Sequence, residues 1–374
     1  MAAGGYHGRM RRFFCPPQPV PGSASRCLRI VLLVCLGLLG AGCSEPAPLQ
    51  DARFPAMGTL VRLRVAAPAS PALDATLAGV EAELVAFGHD WWAWGDGALG
   101  ELNRNLAEAP CVPMPPAMAP LLRRSMTLAT ASGGRFQPLV GPLVRLWQFH
   151  AAPRPLAPAP SAAAIAALLP LPAPTTVAVR DTHLCAPPGS WIDLGGIAKG
   201  EAVRRAAARL QAAGLGDAVV EAGGDLVALG RRHGQPWRIG IADPRGPGVL
   251  GELHLTGGLA AFTSGDYERT FTEGGRRYHH ILDPATGYPV AGVRGVTVVD
   301  PDPVLADAAA TALFVAGDAD WPAVAAMLGV RAVLRVTAAG RLEATPAILA
   351  YLRLPAGEEP VRVELPAPAA SANR

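Results

Sequence analysis

The segment LADAAATALF contains a carboxylate and a hydroxyl that could bind a metal ion together. Asp307 and Thr311 are four residues apart, and the surrounding apolar residues predict a helix at 305–316, so both side chains lie on one helix face. Their oxygens are hard ligands that suit Mg²⁺, which keeps water and substrate phosphate in its other coordination positions. The same pair also fits a structural helix, in which the aspartate lies near the N-terminus and the threonine bonds back to a backbone carbonyl.

The segment DLGGIAKG, residues 193–200, contains Lys199, the one lysine among 33 basic residues. Its glycines lie between a predicted strand at 190–194 and a predicted helix at 201–213, where backbone N–H groups can approach an anion. A lysine is a compact charge on a flexible stem and fits a tight loop beside a phosphate better than the wide fork of arginine. The order of glycine and lysine differs from that of a Walker loop, and a purely structural turn has the same composition.

Two adjacent histidines precede a turn in RYHHILDPATGYPV. The pattern predicts a strand at 277–282, so His279 and His280 point to opposite faces and only one of them can enter a cleft. In DPATG we expect a turn in which Gly287 has an unusual backbone angle. A histidine near its ordinary pKa of about 6.5 can accept a proton from a hydroxyl, although an isolated strand histidine is more often structural.

The pattern of the whole sequence predicts the fold that must position these residues. We expect an α+β fold with largely antiparallel sheets flanked by helices. Helical spacing of apolar residues predicts helices at 71–88 and 120–132. Strand-like runs lie at 60–66, 218–221, 237–242, 251–255 and 295–299. Because the connections between the later strands are mostly short, the pattern favours antiparallel pairing in a single large domain at 54–350 over repeated βαβ units.

The first 42 residues have the pattern of an export signal. Arginines precede an apolar run at 30–39, and small residues stand directly before Cys43. The run is shorter than the roughly 20 apolar residues of a membrane span. We predict a bacterial lipoprotein with its lipid on Cys43, in preference to plain secretion or an uncleaved anchor. The predicted organisation is a leader at 1–42, a Pro-rich tether at 43–53 and a loose Pro/Ala-rich tail at 351–374.

Charge and cysteine content narrow the possible functions. Five arginines but no acidic residues precede Cys43, so the remaining chain carries 28 basic and 30 acidic residues. This balance gives no basic surface for nucleic acid. Cys111 and Cys185 are the two cysteines that follow Cys43, and they either form one disulfide or remain two separate buried thiols.

Eight short segments occur in a defined order along residues 54–328. They are FPAMGT, an aromatic stretch ending in ELN, GRFQPLVGPLVRLW, DLGGIAKG, EAGGD, SGDYERTF, YHHILDPATGYPV and ADAAATAL. Together they resemble the ApbE-type FAD:protein FMN transferases. The resemblance implies an enzyme of bacterial cell envelopes that uses Mg²⁺ to split the diphosphate of FAD. It attaches FMN through a phosphoester to a threonine or serine of a target flavoprotein and releases AMP.

The resemblance also implies roles for individual residues. Asp307 and Thr311 would bind Mg²⁺ through their side chains, and the backbone at Gly196 and Ala310 would complete the metal site. His280 would be the base that deprotonates the acceptor hydroxyl, with Asp307 as the second catalytic residue. The residues that would line the FAD site are Met57, Trp94, Arg135, Phe136, Gln137, Asp193, Lys199 and Leu282.

The implied partners are FAD and flavoprotein subunits of membrane redox complexes or exported reductases. The implied location is the periplasmic side of a membrane, through a lipid anchor at Cys43. Two other functions would use the same residues. An Mg²⁺-dependent FAD pyrophosphatase would release free FMN and AMP, and a non-catalytic FAD-binding envelope lipoprotein would bind FAD without turnover. Attachment of FMN to an acceptor protein would exclude the pyrophosphatase, and release of AMP would exclude the non-catalytic FAD-binding protein.

Overall fold

The computed structural model describes residues 47–151 and 158–367. The predicted leader, Cys43 and the start of the predicted tether lie outside these residues, as does the end of the predicted tail. None of the described helices combines the length and the apolar character that crossing a bilayer requires.

The described chain is a mixture of helices and strands, as the sequence predicts. The helices are α1 (Pro71–Asp90), α2 (Ala98–Glu108), α3 (Ala119–Ala131), α4 (Gly141–Trp147), α5 (Ala162–Ala166), α6 (Ala198–Ala212), α7 (Pro303–Val315) and α8 (Gly317–Leu328). The strands are β1 (Leu49–Ala56), β2 (Thr59–Ala66), β3 (Cys111–Pro113), β4 (Ala178–Val179), β5 (His183–Cys185), β6 (Ala218–Ala222), β7 (Asp225–Leu229), β8 (Trp237–Ala242), β9 (Val249–Leu255), β10 (Leu259–Gly265), β11 (Thr270–Glu273), β12 (Arg276–His279), β13 (Val293–Asp300), β14 (Ala332–Thr337), β15 (Leu342–Ala344), β16 (Leu352–Arg353) and β17 (Val361–Arg362).

A nine-stranded sheet forms the centre of the molecule, in the order β1-β2-β6-β7-β10-β13-β14-β15-β17. Its neighbours run antiparallel except for β15 and β17, which are parallel. Three smaller sheets surround it, with the orders β11-β12, β16-β9-β8 and β3-β5-β4. The predicted α+β class with largely antiparallel pairing is therefore confirmed.

Apolar side chains extend from both faces of the central sheet. Consecutive residues of β6 show this, because Val220 packs into the core under the helices and Val219 into the core under the β8–β9 sheet. Both side chains are fully buried. Strands covered on two faces lose the apolar and polar alternation of a half-exposed strand, which explains the nearly continuous apolar runs in this part of the sequence.

Helix α7 carries Asp307 and Thr311 and is anchored at its beginning. The Asp302 side chain accepts hydrogen bonds from the N–H groups of Val304 and Leu305, at 2.9 and 3.2 Å. Pro303 occupies the first helical position, where the missing N–H costs nothing. The helix packs against β10, β13 and α6, so its register relative to the sheet is well defined.

An aromatic cluster supports the segment that contains His280. Phe271 of β11 and Tyr278 of β12 stack with 5.0 Å between ring centroids, and Trp147 lies 5.2 Å from Tyr278. The Trp147 indole N–H donates to the carbonyl of Gly287 at 2.8 Å. Gly287 has φ +75°, as the predicted DPATG turn requires. The cluster therefore packs the β11–β12 hairpin against the turn that follows His280.

Two predicted boundaries at the ends of the domain are wrong. The tether at 43–53 overlaps β1, which pairs with β2 from Leu49 onward. Asp51 accepts hydrogen bonds from Arg53 and from Arg62 of the neighbouring strand, so these polar residues belong to the exposed face of a strand. The tail at 351–374 is also partly ordered in sheets, because β16 pairs with β9 and β17 with β15.

The strand predicted at 190–194 is irregular structure. Ile192 exchanges two hydrogen bonds of 2.8 Å with the side chain of Asn103, which donates to its carbonyl and accepts from its N–H. An amide side chain thus satisfies the backbone groups that a neighbouring strand would otherwise pair with. The helix predicted from residue 201 begins earlier, at Ala198.

Cys111 and Cys185 form a disulfide that joins β3 to β5. The two residues are directly opposite each other in the strand register, with 4.0 Å between their Cα atoms. Of the two states that the sequence left open, the structure has the paired one.

Candidate functional site

A cleft of about 1030 Å³ brings together nearly all of the predicted site residues. Pockets for drug-sized ligands have volumes of about 300–1,000 Å³, so this cleft has room for a ligand of dinucleotide size. The predicted residues that line it are Met57, Trp94, Arg135, Phe136, Gln137, Asp193, Gly196, Lys199, His280, Leu282, Asp307 and Thr311. Ala310 does not line the cleft, and its side chain is buried in the core.

Lys199 lies in the first turn of α6, where its ammonium forms an ion pair with Asp225 at the start of β7. Its side chain is 24% exposed and that of Asp225 only 4%, so the lysine faces the cleft and the carboxylate lies behind it. Burial alone would lower the pKa of Lys199. The negative charges of Asp225, Asp307 and Glu268 outweigh this effect and raise its pKa above the usual value. Lys199 is therefore protonated at neutral pH.

Asp307 and Thr311 lie on one face of α7 and make their contacts with other elements. Asp307 accepts a hydrogen bond from the N–H of Gly200 at 2.8 Å, and the Thr311 hydroxyl lies 3.2 Å from the Ser264 hydroxyl. The backbone of Gly196 runs so close that a Cβ there would lie 3.0 Å from the Thr311 hydroxyl oxygen. Within the described residues of α7, neither side chain makes the bond that the structural alternative required, and the Asp307 carboxylate instead accepts an N–H in the first turn of α6.

The donor set around Asp307 fits a hard divalent cation. Across residues 47–151 and 158–367, no three His, Cys, Asp or Glu side chains converge as a metal site, so a cation beside Asp307 would depend on oxygens other than a cluster of carboxylates. Mg²⁺ is often held in this way, by one or two carboxylates together with waters and substrate phosphates. Burial raises the pKa of Asp307 to about 7, Asp225 adds to this rise, and Lys199 opposes it. The raised pKa therefore results mainly from the burial of the carboxylate.

His280 enters the cleft while His279 points away from it, as expected for neighbouring residues at the end of a strand. His279 is buried and its Nε2 donates to a backbone carbonyl at 2.8 Å. The Nε2 of His280 lies 3.9 Å from the Glu268 carboxylate. Its buried Nδ1 has no hydrogen-bond partner in the described part of the chain. Burial, reinforced by the nearby positive charges of Arg269 and Lys199, lowers the pKa of His280 to about 3, so the free imidazole is neutral.

Trp94 forms a rigid aromatic wall of the cleft. Its indole N–H donates to Asp193 at 2.9 Å, and the other oxygen of Asp193 accepts from the N–H of Gly195 at 2.8 Å. The Trp94 ring stacks on Trp191 with 5.2 Å between centroids and lies 4.5 Å from the His150 ring. One carboxylate thus connects the aromatic wall to the glycine loop, and the wall is positioned before any ligand binds.

The other predicted ligand-binding residues shape the cleft in different ways. Met57 has φ +54° in the turn between β1 and β2, a conformation uncommon for a residue with a side chain. Phe136 and Leu282 are almost fully buried and supply apolar surface. Arg135 forms an ion pair with Asp320 at 2.7 Å. These residues contribute shape and a partly neutralised charge to the site.

Three residues of the site were absent from the sequence prediction: Asp225, Ser264 and Glu268. They belong to the EAGGD and SGDYERTF segments, in which Asp225 and Ser264 stand beside glycine at a strand end and Glu268 follows three residues after Gly265. This location of polar residues close to glycine was the sequence signal that could have identified them. The sequence could not pair Lys199 with Asp225, because the two residues are 26 positions apart on different elements.

The fold and the cleft define a class of protein. It is an α+β protein whose cleft combines a lysine, a carboxylate and a hydroxyl on one helix face, a histidine and an aromatic wall, which suits a ligand with a planar ring and a diphosphate. The sequence profile of the ApbE family matches residues 57–334, and the chain belongs to this family.

Related proteins agree with this assignment. A relative from Rhodobacter capsulatus, named FAD:protein FMN transferase, is 39% identical over 368 residues, which span 97% of this chain and 70% of the relative. A relative of the same name from Treponema pallidum is 35% identical and spans 77% of this chain and 85% of its own length. The crystal structure of an ApbE protein from Thermotoga maritima has a TM-score of 0.74 and 32% identity, covering 82% of this chain and all of the other. The apo flavinyl transferase ApbE of Pseudomonas stutzeri has a TM-score of 0.71 and 30% identity, covering 83% of this chain and 98% of its own.

Proposed function

We propose that this chain transfers FMN from FAD to the hydroxyl of a threonine or serine in a target flavoprotein, in an Mg²⁺-dependent reaction that releases AMP. The observation that carries the proposal is the arrangement of Lys199, His280, Asp307 and Thr311 around one cleft of dinucleotide size. The family and the names of its members support the same reaction.

The cleft offers different surfaces to the two halves of FAD and to its diphosphate. Trp94, Phe136 and Leu282 provide aromatic and apolar surface for rings. Lys199 donates to phosphate oxygens from the first turn of α6, where the helix N-terminus also favours negative charge. The diphosphate is therefore held between the lysine and the Asp307 side of the cleft.

Asp307 and Thr311 would hold Mg²⁺ through their side-chain oxygens, together with the backbone at Gly196, which also lines the cleft. The bound ion would withdraw negative charge from the diphosphate and favour departure of AMP. The protein itself contributes a fixed carboxylate, because the Gly200 N–H already orients Asp307.

His280 acts as the base of the transfer step. The acceptor hydroxyl gives its proton to the neutral imidazole while its oxygen attacks the FMN phosphorus, and the bond between that phosphorus and the oxygen retained by AMP breaks. The products are the FMN phosphoester and AMP, and the proton leaves His280 for solvent or AMP. The low pKa of the free histidine keeps it unprotonated, and the negative charge of bound FAD raises its basicity when it is needed.

The target and the location follow from the leader and the family resemblance. We infer that the protein is anchored by a lipid on Cys43 at the periplasmic side of a bacterial membrane, where it modifies subunits of redox complexes or exported reductases. The apolar run and small residues before Cys43 support this placement. Metabolic labelling with a fatty-acid analogue would label the wild type and leave the Cys43→Ala variant unlabelled. Equal labelling of both would contradict the anchor.

The reaction is tested by mass spectrometry on the full-length protein with FAD, Mg²⁺ and a threonine-bearing peptide from a flavinylated redox subunit. We expect an FMN adduct on the threonine and an equal amount of AMP, both lost when Mg²⁺ is chelated. A matched peptide with valine at that position is the control. AMP without an adduct would favour an FAD pyrophosphatase, and bound FAD with neither product would favour a binding protein.

A further inference from the structure

Asp225 differs from the other charged residues around Lys199 because it lies outside the cleft. Lys199, Asp307 and Glu268 all line the cleft, whereas Asp225 is 3% exposed and lies behind the lysine. Its carboxylate therefore contacts the ammonium from the protein interior. Its side-chain contacts with residues that line the cleft are to the Lys199 ammonium and the Thr263 N–H, so Lys199 is the charged group through which it can act on the cleft.

The carboxylate of Asp225 has a rigid position of its own. One oxygen accepts a hydrogen bond from the N–H of Thr263 on β10 at 2.8 Å, and the other binds Lys199. Asp225 begins β7 immediately after the Gly223–Gly224 turn, in which both glycines have positive φ angles. Two strands of the central sheet thus fix the carboxylate, which in turn gives the flexible lysine stem one preferred direction.

The lysine has alternative partners in the same site. The carboxylates of Asp307 and Glu268 both attract the Lys199 ammonium. Asp307 is also the carboxylate that we propose as a ligand of Mg²⁺. If the ammonium paired with Asp307, it would occupy a ligand that the metal needs and would be withdrawn from the diphosphate.

We propose that Asp225 is a positioning residue that holds Lys199 on the cleft wall and so keeps the Asp307 carboxylate available for the divalent cation. The inference rests on the proposed function and assigns a separate role to each of two carboxylates. Asp225 binds the lysine and Asp307 binds the metal, while the remaining ammonium N–H groups of Lys199 stay directed to the phosphates.

The test measures Mg²⁺ binding to the full-length protein by calorimetry without FAD, so it does not depend on turnover. We expect Asp225→Asn to weaken Mg²⁺ binding about 10-fold or more, since loss of a residue that orients a metal site costs about 10- to 100-fold. Asn keeps the acceptor for the Thr263 N–H but loses the charge that holds the lysine. In the double variant Asp225→Asn with Lys199→Met, affinity returns to within about twofold of the wild type, because the competing ammonium is gone.

Two further variants separate positioning from folding. Lys199→Met alone should bind Mg²⁺ at least as tightly as the wild type. Glu343→Gln removes the carboxylate of another buried ion pair, with Arg335, away from the cleft, and should lower the melting temperature without changing Mg²⁺ affinity. Melting curves of all variants show which of them fold, and the double variant has no unpaired charge at this position.

Unchanged Mg²⁺ affinity in Asp225→Asn would overturn this inference and leave the proposed function unaffected. A double variant as weak as Asp225→Asn would also overturn it, because the effect would then be structural and independent of the lysine. A wild-type protein that does not bind Mg²⁺ without FAD would overturn this inference, whereas the metal requirement of the proposed function is tested separately by chelating Mg²⁺ in the transfer assay.

Discussion

Lys199 and Arg335 are cationic side chains in two regions of the fold, and their hydrogen-bond donors have different surroundings. Lys199 pairs with Asp225 at the cleft wall and keeps 24% of its side chain exposed. Arg335 on β14 is fully buried, and two of its guanidinium nitrogens bind Glu343 and Asp318. Both terminal nitrogens of the arginine fork are thus bound to protein carboxylates, whereas the lysine at the cleft wall keeps donors for a ligand.

This difference suggests why the chain has arginine at its other basic positions but lysine at residue 199. A buried ion pair contributes little net stability, because the cost of removing both charges from water offsets their attraction. The Arg335 group still joins β14 to β15 and to the start of α8. The Lys199 pair lies at the border of the cleft, and its arrangement is better explained by ligand binding than by stability.

The largest expected difference between the two regions is in their carboxylates. Asp307→Ala should reduce FMN transfer about 10²- to 10³-fold or more, because the cation site loses its carboxylate. Asp318→Ala, in the scaffold pair, should leave the rate within about twofold. The rates of both variants are measured by AMP release and adduct formation at saturating FAD. Full activity in Asp307→Ala would remove this residue from the metal site.

The next effect concerns the base. His280→Ala should lower transfer by about 10²- to 10⁴-fold, the usual contribution of a positioned base, while FAD binding persists. His254→Ala on β9, outside the cleft, is the matched control and should transfer normally. Equilibrium binding of FAD and single-turnover transfer separate the two steps. Normal transfer by His280→Ala would mean that another group takes the proton.

A reciprocal exchange sharpens the comparison of the two cations. Lys199→Arg should slow transfer by about 10- to 100-fold, because the wider fork displaces the charge from the phosphate position. Arg335→Lys should leave transfer unchanged and lower the free energy of unfolding by about 1–3 kcal/mol, since charged hydrogen bonds are lost in the interior. Denaturant titrations and transfer assays on both variants measure the exchange. An Arg335→Lys variant with impaired transfer would contradict the separation of the two regions.

The smallest effect is on stability at acidic pH. The folded pKa of His280 is about 3, below the ordinary value of about 6.5, so between these values the unfolded chain binds more protons. Stability should therefore fall as the pH decreases through this window. Between pH 7 and 5, the free energy of unfolding of His280→Gln should fall by about 1 kcal/mol less than that of the wild type. The expected difference is modest because part of the imidazole surface is open to the cleft. Urea titrations at the two pH values measure this, and parallel losses would contradict the lowered pKa.

Features with a local cause were predictable from the sequence. The spacing of apolar residues predicted α1, α3 and α7 nearly to their ends, and the four-residue spacing of Asp307 and Thr311 placed both on one helix face. The DPATG turn was predictable because glycine is the residue that readily adopts the φ of Gly287. Helical period, turn chemistry and the opposite directions of His279 and His280 all depend on neighbours within a few residues.

Features that depend on distant partners were predicted incompletely or wrongly. The apolar segment at 190–194 resembles a strand, but the Asn103 side chain satisfies its backbone instead. The polar segment before Phe54 resembles a tether, but it is one strand of the sheet. In both cases composition was a poor guide, because the partner that decides the structure is far away in the sequence or on the next strand.

The sequence by itself determined the α+β class, the main helices and the types of residue that the cleft would contain, since these follow from periodicity, turn residues and motif order. Only the tertiary structure decided the pairing of Lys199 with Asp225, the approach of Gly196 to Thr311 and the disulfide between Cys111 and Cys185. Each of these contacts joins elements that are separate in sequence. Their formation depends on how the sheet and helices pack, which local pattern does not specify.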